Sequence, residues 1–203
     1  MALVDAVQDH LEAIYAVRCP VRARGFLLDA EAAQALGADA SGAEALLVHE
    51  ADGALELGLY LSEDVLLEAP RGGLGPFCQL AEGVSHFLYL TRAAELARPV
   101  SLLELEAQAE VDKFALLLLR AWSAGRGRWA TVLHSCLFEE TRLRPGLSAV
   151  EERRYGEANR LARAFCGRLL PLCATRRLES LLDVLRYAYR LGAAAKLEHF
   201  ANS

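Results

Sequence analysis

The segment from Glu44 to Leu61 reads EALLVHEADGALELGLYL and sets the class of the fold. At its centre, Asp52-Gly53 is a dipeptide that favours the tight turn of a two-residue β-hairpin. After that turn, leucines alternate with smaller or polar residues, as they do in a strand with one buried face and one wetter face. The segment therefore predicts a small antiparallel sheet.

The residues before the hairpin predict a helix and then an extended segment. Apolar side chains recur at helical spacing through residues 2–16, and the helix is expected to stop near Cys19-Pro20. Residues 21–28 lack that spacing and are expected to be extended.

The residues after Leu74 have a helical pattern almost to the end of the chain, with interruptions near prolines. No linker rich in Gly, Ser or Pro separates them from the sheet, so the two parts are expected to share one core. The prediction is a single α+β domain over 1–203, with a helix and small sheet in 1–70 and a helical part in 71–203. Five helices are expected, near 74–97, 101–121, 128–140, 149–170 and 176–197.

The composition limits the class of protein and of partner. With 203 residues, 54% hydrophobic and 24% charged, the chain is typical of a globular protein with a core. No apolar run approaches the eighteen or so residues of a bilayer span, so no membrane partner is expected. The net charge of −5 argues against a nucleic-acid partner.

The compartment is expected to be the cytoplasm. Three acidic residues, Asp5, Asp9 and Glu12, lie within the first 16 positions, where a secretory signal would have a basic start and an apolar middle. The five cysteines are odd in number and form no CxxC pair, which argues against a disulfide framework. Lys113 and Lys196 are the only lysines among 22 basic residues and Ile14 is the only isoleucine, a bias that indicates a GC-rich bacterial source.

Ionisable residues share a stripe with leucines on the predicted helix 101–121. Ser101 and Glu104 have the spacing of a capping box, which fixes the phase of this helix. In that phase Glu106, Glu110 and Lys113 fall in one sector of the helix, and buried charges need partners. The residues expected to face water are Glu104, Gln108 and Ala115.

The preceding helix, 74–97, carries a second polar stripe. Glu82, His86 and Tyr89 recur at helical spacing beside a separate apolar face. The short link Arg98-Pro99-Val100 favours an antiparallel helical hairpin, 74–121, in which the two stripes would meet. The candidate ligand-binding residues are therefore Glu82, His86, Tyr89, Glu106, Glu110 and Lys113.

Three interpretations of these stripes stay open. In the first, Glu82 pairs with Lys113 and His86 with Glu110 in a buried ladder that only fixes the register of the hairpin. In the second, the stripes form a binding or catalytic pocket, in which Glu110 orients His86 while Glu106 and Tyr89 meet a ligand. If the pocket is that of an enzyme, Lys113 stabilises negative charge. The catalytic candidates are then His86, Glu110 and Lys113.

The third interpretation is a metal centre, because carboxylate and imidazole groups one helical turn apart can share an ion. The metal-ligand candidates are Glu82, His86, Glu106, Glu110 and His134. A divalent metal is the only cofactor that the sequence suggests.

The order of elements resembles that of compact zincin metallopeptidases: a small sheet, a helix with Glu82 and His86, and a helix with Glu106 or Glu110. That family's motif is His-Glu-x-x-His, in which two histidines bind zinc and the glutamate activates water. This chain reads AEGVSH over 81–86, so the first histidine is absent and the second is displaced by one position. The resemblance implies a degenerate zincin-like scaffold.

The leading functional hypothesis is a non-enzymatic ligand-binding or protein-interaction module, with a buried polar site in the hairpin 74–121 and a small molecule or a protein as its partner. The alternative is a metal- or His/Glu-dependent enzyme, a hydrolase on the zincin-like scaffold.

Overall fold

A computed structural model describes residues 2–38, 42–51, 54–125, 129–140 and 146–202. The structure is 71% helical and contains a small mixed sheet of three strands, so the predicted α+β class is confirmed. No helix within the described residues is both long enough and apolar enough to cross a bilayer. The elements are α1 (Ala2–Tyr15), a 3₁₀ helix (Ala23–Phe26), β1 (Leu27–Leu28), α2 (Ala30–Ala35), β2 (Glu44–Ala51), β3 (Ala54–Leu61), α3 (Glu63–Glu68), α4 (Leu74–Glu95), α5 (Leu102–Ser123), α6 (Ala130–Phe138), α7 (Ala149–Ala174), α8 (Leu178–Arg190) and α9 (Ala193–Ala201).

The chain divides into two compact units. The first comprises Met1–Glu12 and Arg18–Pro99, and the second comprises Ala13–Val17 and Val100–Ser203. The first unit contains the sheet with α2, α3, α4 and most of α1. The second unit contains α5 to α9 and the last turn of α1. The single domain expected from the sequence stays a prediction.

The sheet of the first unit has the strand order β1-β3-β2. The predicted hairpin is present, with β2 antiparallel to β3 from the pair Glu44 and Leu61 to the pair Ala51 and Ala54. Its Asp52-Gly53 turn lies outside the described residues. The sheet is mixed because β1 runs parallel to β3, and only Leu27–Leu28 of the expected extended segment 21–28 is a strand.

The segment before β1 is fixed to α1 by the buried amide of Gln8. Gln8 Nε2 donates to the Val21 carbonyl at 2.9 Å, and the Ala23 amide donates to Gln8 Oε1 at 2.8 Å. The same Nε2 donates to Glu12 Oε1 at 2.9 Å. These bonds satisfy backbone groups on either side of Arg22 and hold the start of the 3₁₀ helix against α1.

Helix α4 packs closely against the sheet, and Gly83 permits that approach. A Cβ atom at Gly83 would lie 3.0 Å from Leu59 Cδ1 and 3.2 Å from Leu61 Cδ2. The leucines of β3 therefore meet the backbone of α4, beside the buried side chains of Leu80 and Val84. This packing fixes which side of α4 faces the sheet.

Helix α5 is the central element of the second unit and packs against α6, α7 and α9. Phe114 and Leu118 of α5 belong to the core of this unit. The rings of Phe165 on α7 and Phe200 on α9 stack within the same core, with centroids 4.6 Å apart. Burial of these large apolar groups is the main stabilising contribution here.

Two boundaries in the C-terminal part differ from the sequence prediction. Helix α7 continues through Pro171 to Ala174, because Leu169 and Cys173 are both buried and hold the last turns in place. The expected helix 176–197 is two helices, separated at Leu191-Gly192. Tertiary packing outweighs the helix-breaking tendency of proline in the first case.

Candidate functional site

Within the first unit, α4 presents Glu82 and His86 from one side, as their spacing predicts. Residues four apart on a helix differ by about 40° in direction. His86 is buried, with 6% of its surface exposed, and Glu82 is half-buried. Together they offer an imidazole nitrogen and carboxylate oxygens within one helical turn.

Tyr89 lies one turn beyond His86 and is buried. The guanidinium carbon of Arg98 lies 5.1 Å from the centroid of its ring, within the range of a cation–π interaction. The aromatic end of this stripe therefore carries a nearby positive charge.

Within the second unit, α5 carries the other three candidates on consecutive turns. Lys113 Nζ lies 2.7 Å from Glu110 Oε1, so these two residues form an ion pair on one helix. Glu106 is buried, and Arg154 of α7 places its Nε 3.6 Å from Glu106 Oε1. Sequence reasoning missed this contact of Arg154 with Glu106, because Arg154 is 48 positions away on another helix. The pairings of the predicted ladder, Glu82 with Lys113 and His86 with Glu110, stay predictions.

The prediction of which side of α5 faces water is wrong. The backbone amide of Glu104 donates to Ser101 Oγ at 3.2 Å, so Ser101 caps the start of the helix with the first of the two bonds of the predicted capping box. Glu104, Gln108 and Ala115 are nevertheless buried. The helix is covered on every side over most of its length, so it has no sector that faces water.

Gln108 takes part in a buried group of polar side chains that we name the Lys196 network, formed by Tyr15, Gln108, Asp112, Tyr189 and Lys196. Asp112 Oδ1 accepts hydrogen bonds from the Tyr15 hydroxyl and, at 2.7 Å, from Gln108 Nε2. Lys196 Nζ donates to Gln108 Oε1 at 2.5 Å and to the Tyr189 carbonyl at 3.2 Å. The amide of Gln108 thus bridges a buried carboxylate and a buried ammonium.

The network has consequences for protonation and packing. Burial, followed by the charge of Asp112, raises the pKa of Tyr15 well above its usual value, so its hydroxyl remains a donor. The rings of Tyr15 and Tyr189 stack with centroids 4.0 Å apart. The network joins the end of α1 to α5, α8 and α9, and its hydrogen bonds fit a structural role. Only the four-residue spacing of Gln108 and Asp112 signals it in the sequence.

His134, the remaining metal-ligand candidate, is half-buried on α6. Its Nε2 donates to the backbone carbonyl of Arg163 at 2.9 Å. Its ring packs against Phe114 and Phe138, with centroids 6.2 Å and 5.1 Å away. These contacts orient the imidazole toward α7.

Comparisons with known proteins find no match among protein-family models, curated proteins or solved structures.

Proposed function

We propose that the protein is a non-enzymatic binding protein whose ligand is held by the polar stripes of α4 and α5. The observation that carries the proposal is the burial of His86, Glu106 and Lys113, which are only 6%, 7% and 7% exposed. Removing an ionisable group from water costs several kcal/mol unless partners compensate. Helices that needed only to pack would be more stable with leucine at these positions.

The ligand that best fits these side chains is a divalent metal ion. Glu82, His86 and Glu106 each offer one ligand atom, an imidazole nitrogen from the histidine and a carboxylate oxygen from each glutamate, and such a set could hold a metal. Imidazole with carboxylate suits zinc, iron and manganese. In this proposal, Arg154 orients Glu106 from the outer side, as second-shell partners do for metal-binding carboxylates.

Metal titration of the purified protein tests this proposal. Cobalt(II) would be added to the metal-free wild type and to the variants His86→Gln and Glu106→Gln, with visible absorption as the signal. His49→Gln is the matched control, because His49 is exposed on β2. We expect one ion per chain in the wild type and the control, and at least tenfold weaker binding in both site variants.

Two outcomes would refute the metal site: no stoichiometric binding by the wild type, or binding by His86→Gln that equals the control. Circular dichroism of each variant separates loss of ligands from loss of the fold. If His86→Gln does not fold, Glu82→Gln replaces it, since Glu82 is only half-buried.

The alternative function is a metal- or His86-dependent hydrolase. The observation in its favour is the 2.7 Å ion pair between Lys113 Nζ and Glu110 Oε1, which holds the lysine side chain in place. In the enzyme, that side chain would stabilise developing negative charge. Hydrolysis of an activated ester or a peptide tests this alternative. The enzyme is supported over the binding protein if the wild type turns the substrate over, if both His86→Gln and Lys113→Met lose that turnover, and if Lys113→Met still binds the metal.

A further inference from the structure

Arg168 of α7 binds the C-terminal end of α9. Its Nη2 donates to the His199 carbonyl at 2.5 Å, and its Nη1 donates to the Phe200 carbonyl at 3.3 Å. Carbonyl groups in the last turn of a helix have no partner within the helix, and together they carry the negative end of the helix dipole. The guanidinium group therefore already supplies the positive charge that this helix end favours.

The imidazole of His199 packs against α7 and α8. Its ring centroid lies 5.6 Å from that of Phe165 on α7 and 5.4 Å from that of Tyr187 on α8. Its Nε2 atom is buried and makes no hydrogen bond to any of the described residues. Because both nitrogens of a protonated imidazole are donors, protonation would place a positive charge and a donor without an acceptor in this apolar setting.

The charge of Arg168 also opposes protonation of His199. Burial is the larger cause and the charge of Arg168 the second, and both lower the pKa of His199 below its usual value. The other titratable side chains on α9 and around it are neutral, paired with other groups or exposed: Glu104 and Asp112 of α5, Cys166 of α7, Asp183, Arg186, Tyr187 and Arg190 of α8, and Lys196 and Glu198 of α9. The folded chain therefore binds a proton at His199 less readily than the unfolded chain does.

We propose that His199 is a pH-sensitive switch, which holds α9 against α7 and α8 while its imidazole is neutral and releases this helix when it takes up a proton from solvent. Release lets the imidazolium group reach water and separates it from Arg168. Lys196 lies three residues earlier on α9, so the same movement withdraws its ammonium group from Gln108. Protonation of one histidine is thereby coupled to the opening of the Lys196 network.

The pH range of the switch follows from the direction of the pKa shift. The pKa of His199 in the released helix is the ordinary 6.5, and in the docked helix it is lower. Docking is therefore at full strength above about pH 6.5 and weakens as the pH falls below that value. The equilibrium constant for release should rise by up to about tenfold for each pH unit, until the pH reaches the pKa of the docked form.

Hydrogen exchange of the α9 amides, corrected for the intrinsic exchange rate at each pH, tests the proposal. Between about pH 7.5 and about pH 5, we expect release of α9 in the wild type to increase at least about threefold, while α7 keeps its protection. In His199→Gln, which cannot take up a proton, the protection of α9 should be the same at both pH values. His10→Gln removes an exposed histidine of α1 and is the matched control, which should behave like the wild type.

NMR titration of the His199 imidazole in the wild type measures the same protonation without a substitution, so it decides the matter if His199→Gln does not fold. We expect a pKa below 6.5. A pKa at or above that value, an α9 whose release does not change with pH, or a pH response in His199→Gln equal to that of the control overturns the proposal. Equal loss of protection in α7 and α9 also overturns it, because the whole unit would then unfold rather than α9 alone.

Discussion

Lys196 Nζ lies 2.5 Å from Gln108 Oε1 in the interior of the second unit, where both side chains are buried. The bond joins α9 to α5 across 88 positions of sequence. Gln108 in turn donates to Asp112, so the positive charge of Lys196 and the carboxylate belong to one hydrogen-bonded group. The stability of this unit should depend on every member of that group.

Replacing Lys196 with methionine is expected to lower the free energy of unfolding by about 3 kcal/mol. The variant keeps the length of the side chain but removes the donor to Gln108 and leaves the carboxylate of Asp112 buried without that compensating charge. Urea unfolding measures the loss. Glu198→Gln, at an exposed position of the same helix, is the control and should change stability by less than about 0.5 kcal/mol. A Lys196→Met variant as stable as this control would contradict the role assigned to the network.

Replacing Tyr15 with phenylalanine is expected to lower the free energy of unfolding by about 1–3 kcal/mol at neutral pH, because the buried carboxylate of Asp112 loses a donor. The stacking of the ring on Tyr189 is retained. Chemical unfolding at neutral pH gives the value, and a variant as stable as the wild type would show that the hydroxyl contributes nothing.

The stability of the wild type and that of Tyr15→Phe should respond differently to alkaline pH. The pKa of Tyr15 is raised in the folded chain, mainly by burial and then by Asp112, so its contribution to stability is complete below the unfolded pKa of about 10 and is lost above it. Above about pH 10 the wild type should lose up to about 1.4 kcal/mol per pH unit more than Tyr15→Phe. A stability difference that stays constant through this range would contradict the raised pKa.

Replacing Gln8 with leucine is expected to destabilise the first unit by about 3 kcal/mol. The buried Ala23 amide and the part-buried Val21 carbonyl would lose their partner, and an unsatisfied buried group costs about 1–3 kcal/mol. Gln34→Leu, at an exposed position of α2, is the matched control. Equal stability of the two variants, measured by urea unfolding, would refute this prediction.

Cys166 and Cys173 are expected to resist thiol reagents in the folded protein. Both are buried, burial raises the pKa of Cys173 to about 11, and the pKa of Cys166 is also raised well above its usual value. At neutral pH very little reactive thiolate would form at either residue. Mass spectrometry of alkylated peptides should find both unmodified in native protein and modified after denaturation. Labelling of native Cys173 as fast as that of the half-buried Cys136 would contradict this.

The sequence predicts helices and strands well where the pattern lies within the element itself. The alternating leucines and the Asp52-Gly53 signal predict the hairpin, and the helical spacing from Leu74 and from Ser101 predicts α4 and α5 to within about two residues. The prediction that α7 ends near Pro171 is wrong, because burial of nearby residues keeps the helix intact beyond the proline.

The candidate site is predictable in part for the same reason. Glu106 and Lys113 share a sector with leucines in the predicted helix, and both are buried in the structure, as is His86 on the other stripe. The burial of Gln108 is not predictable from its own helix, since its partner Lys196 comes from α9. Because α5 is covered on all sides, its sequence contains no polar sector that would indicate a water-facing side. The contact of Arg154 with Glu106 is likewise not predictable from the sequence of α5 alone.

The Lys196 network also orders events during synthesis. Its members come from both ends of the chain, with Tyr15 and Asp112 separated by 97 positions and Lys196 later still. While a ribosome holds the segment around residue 196, the amide of Gln108 cannot receive its ammonium donor. The second unit therefore completes its interior only after that segment emerges, and nascent chains stalled before α9 should be the form that chaperones and proteases recognise.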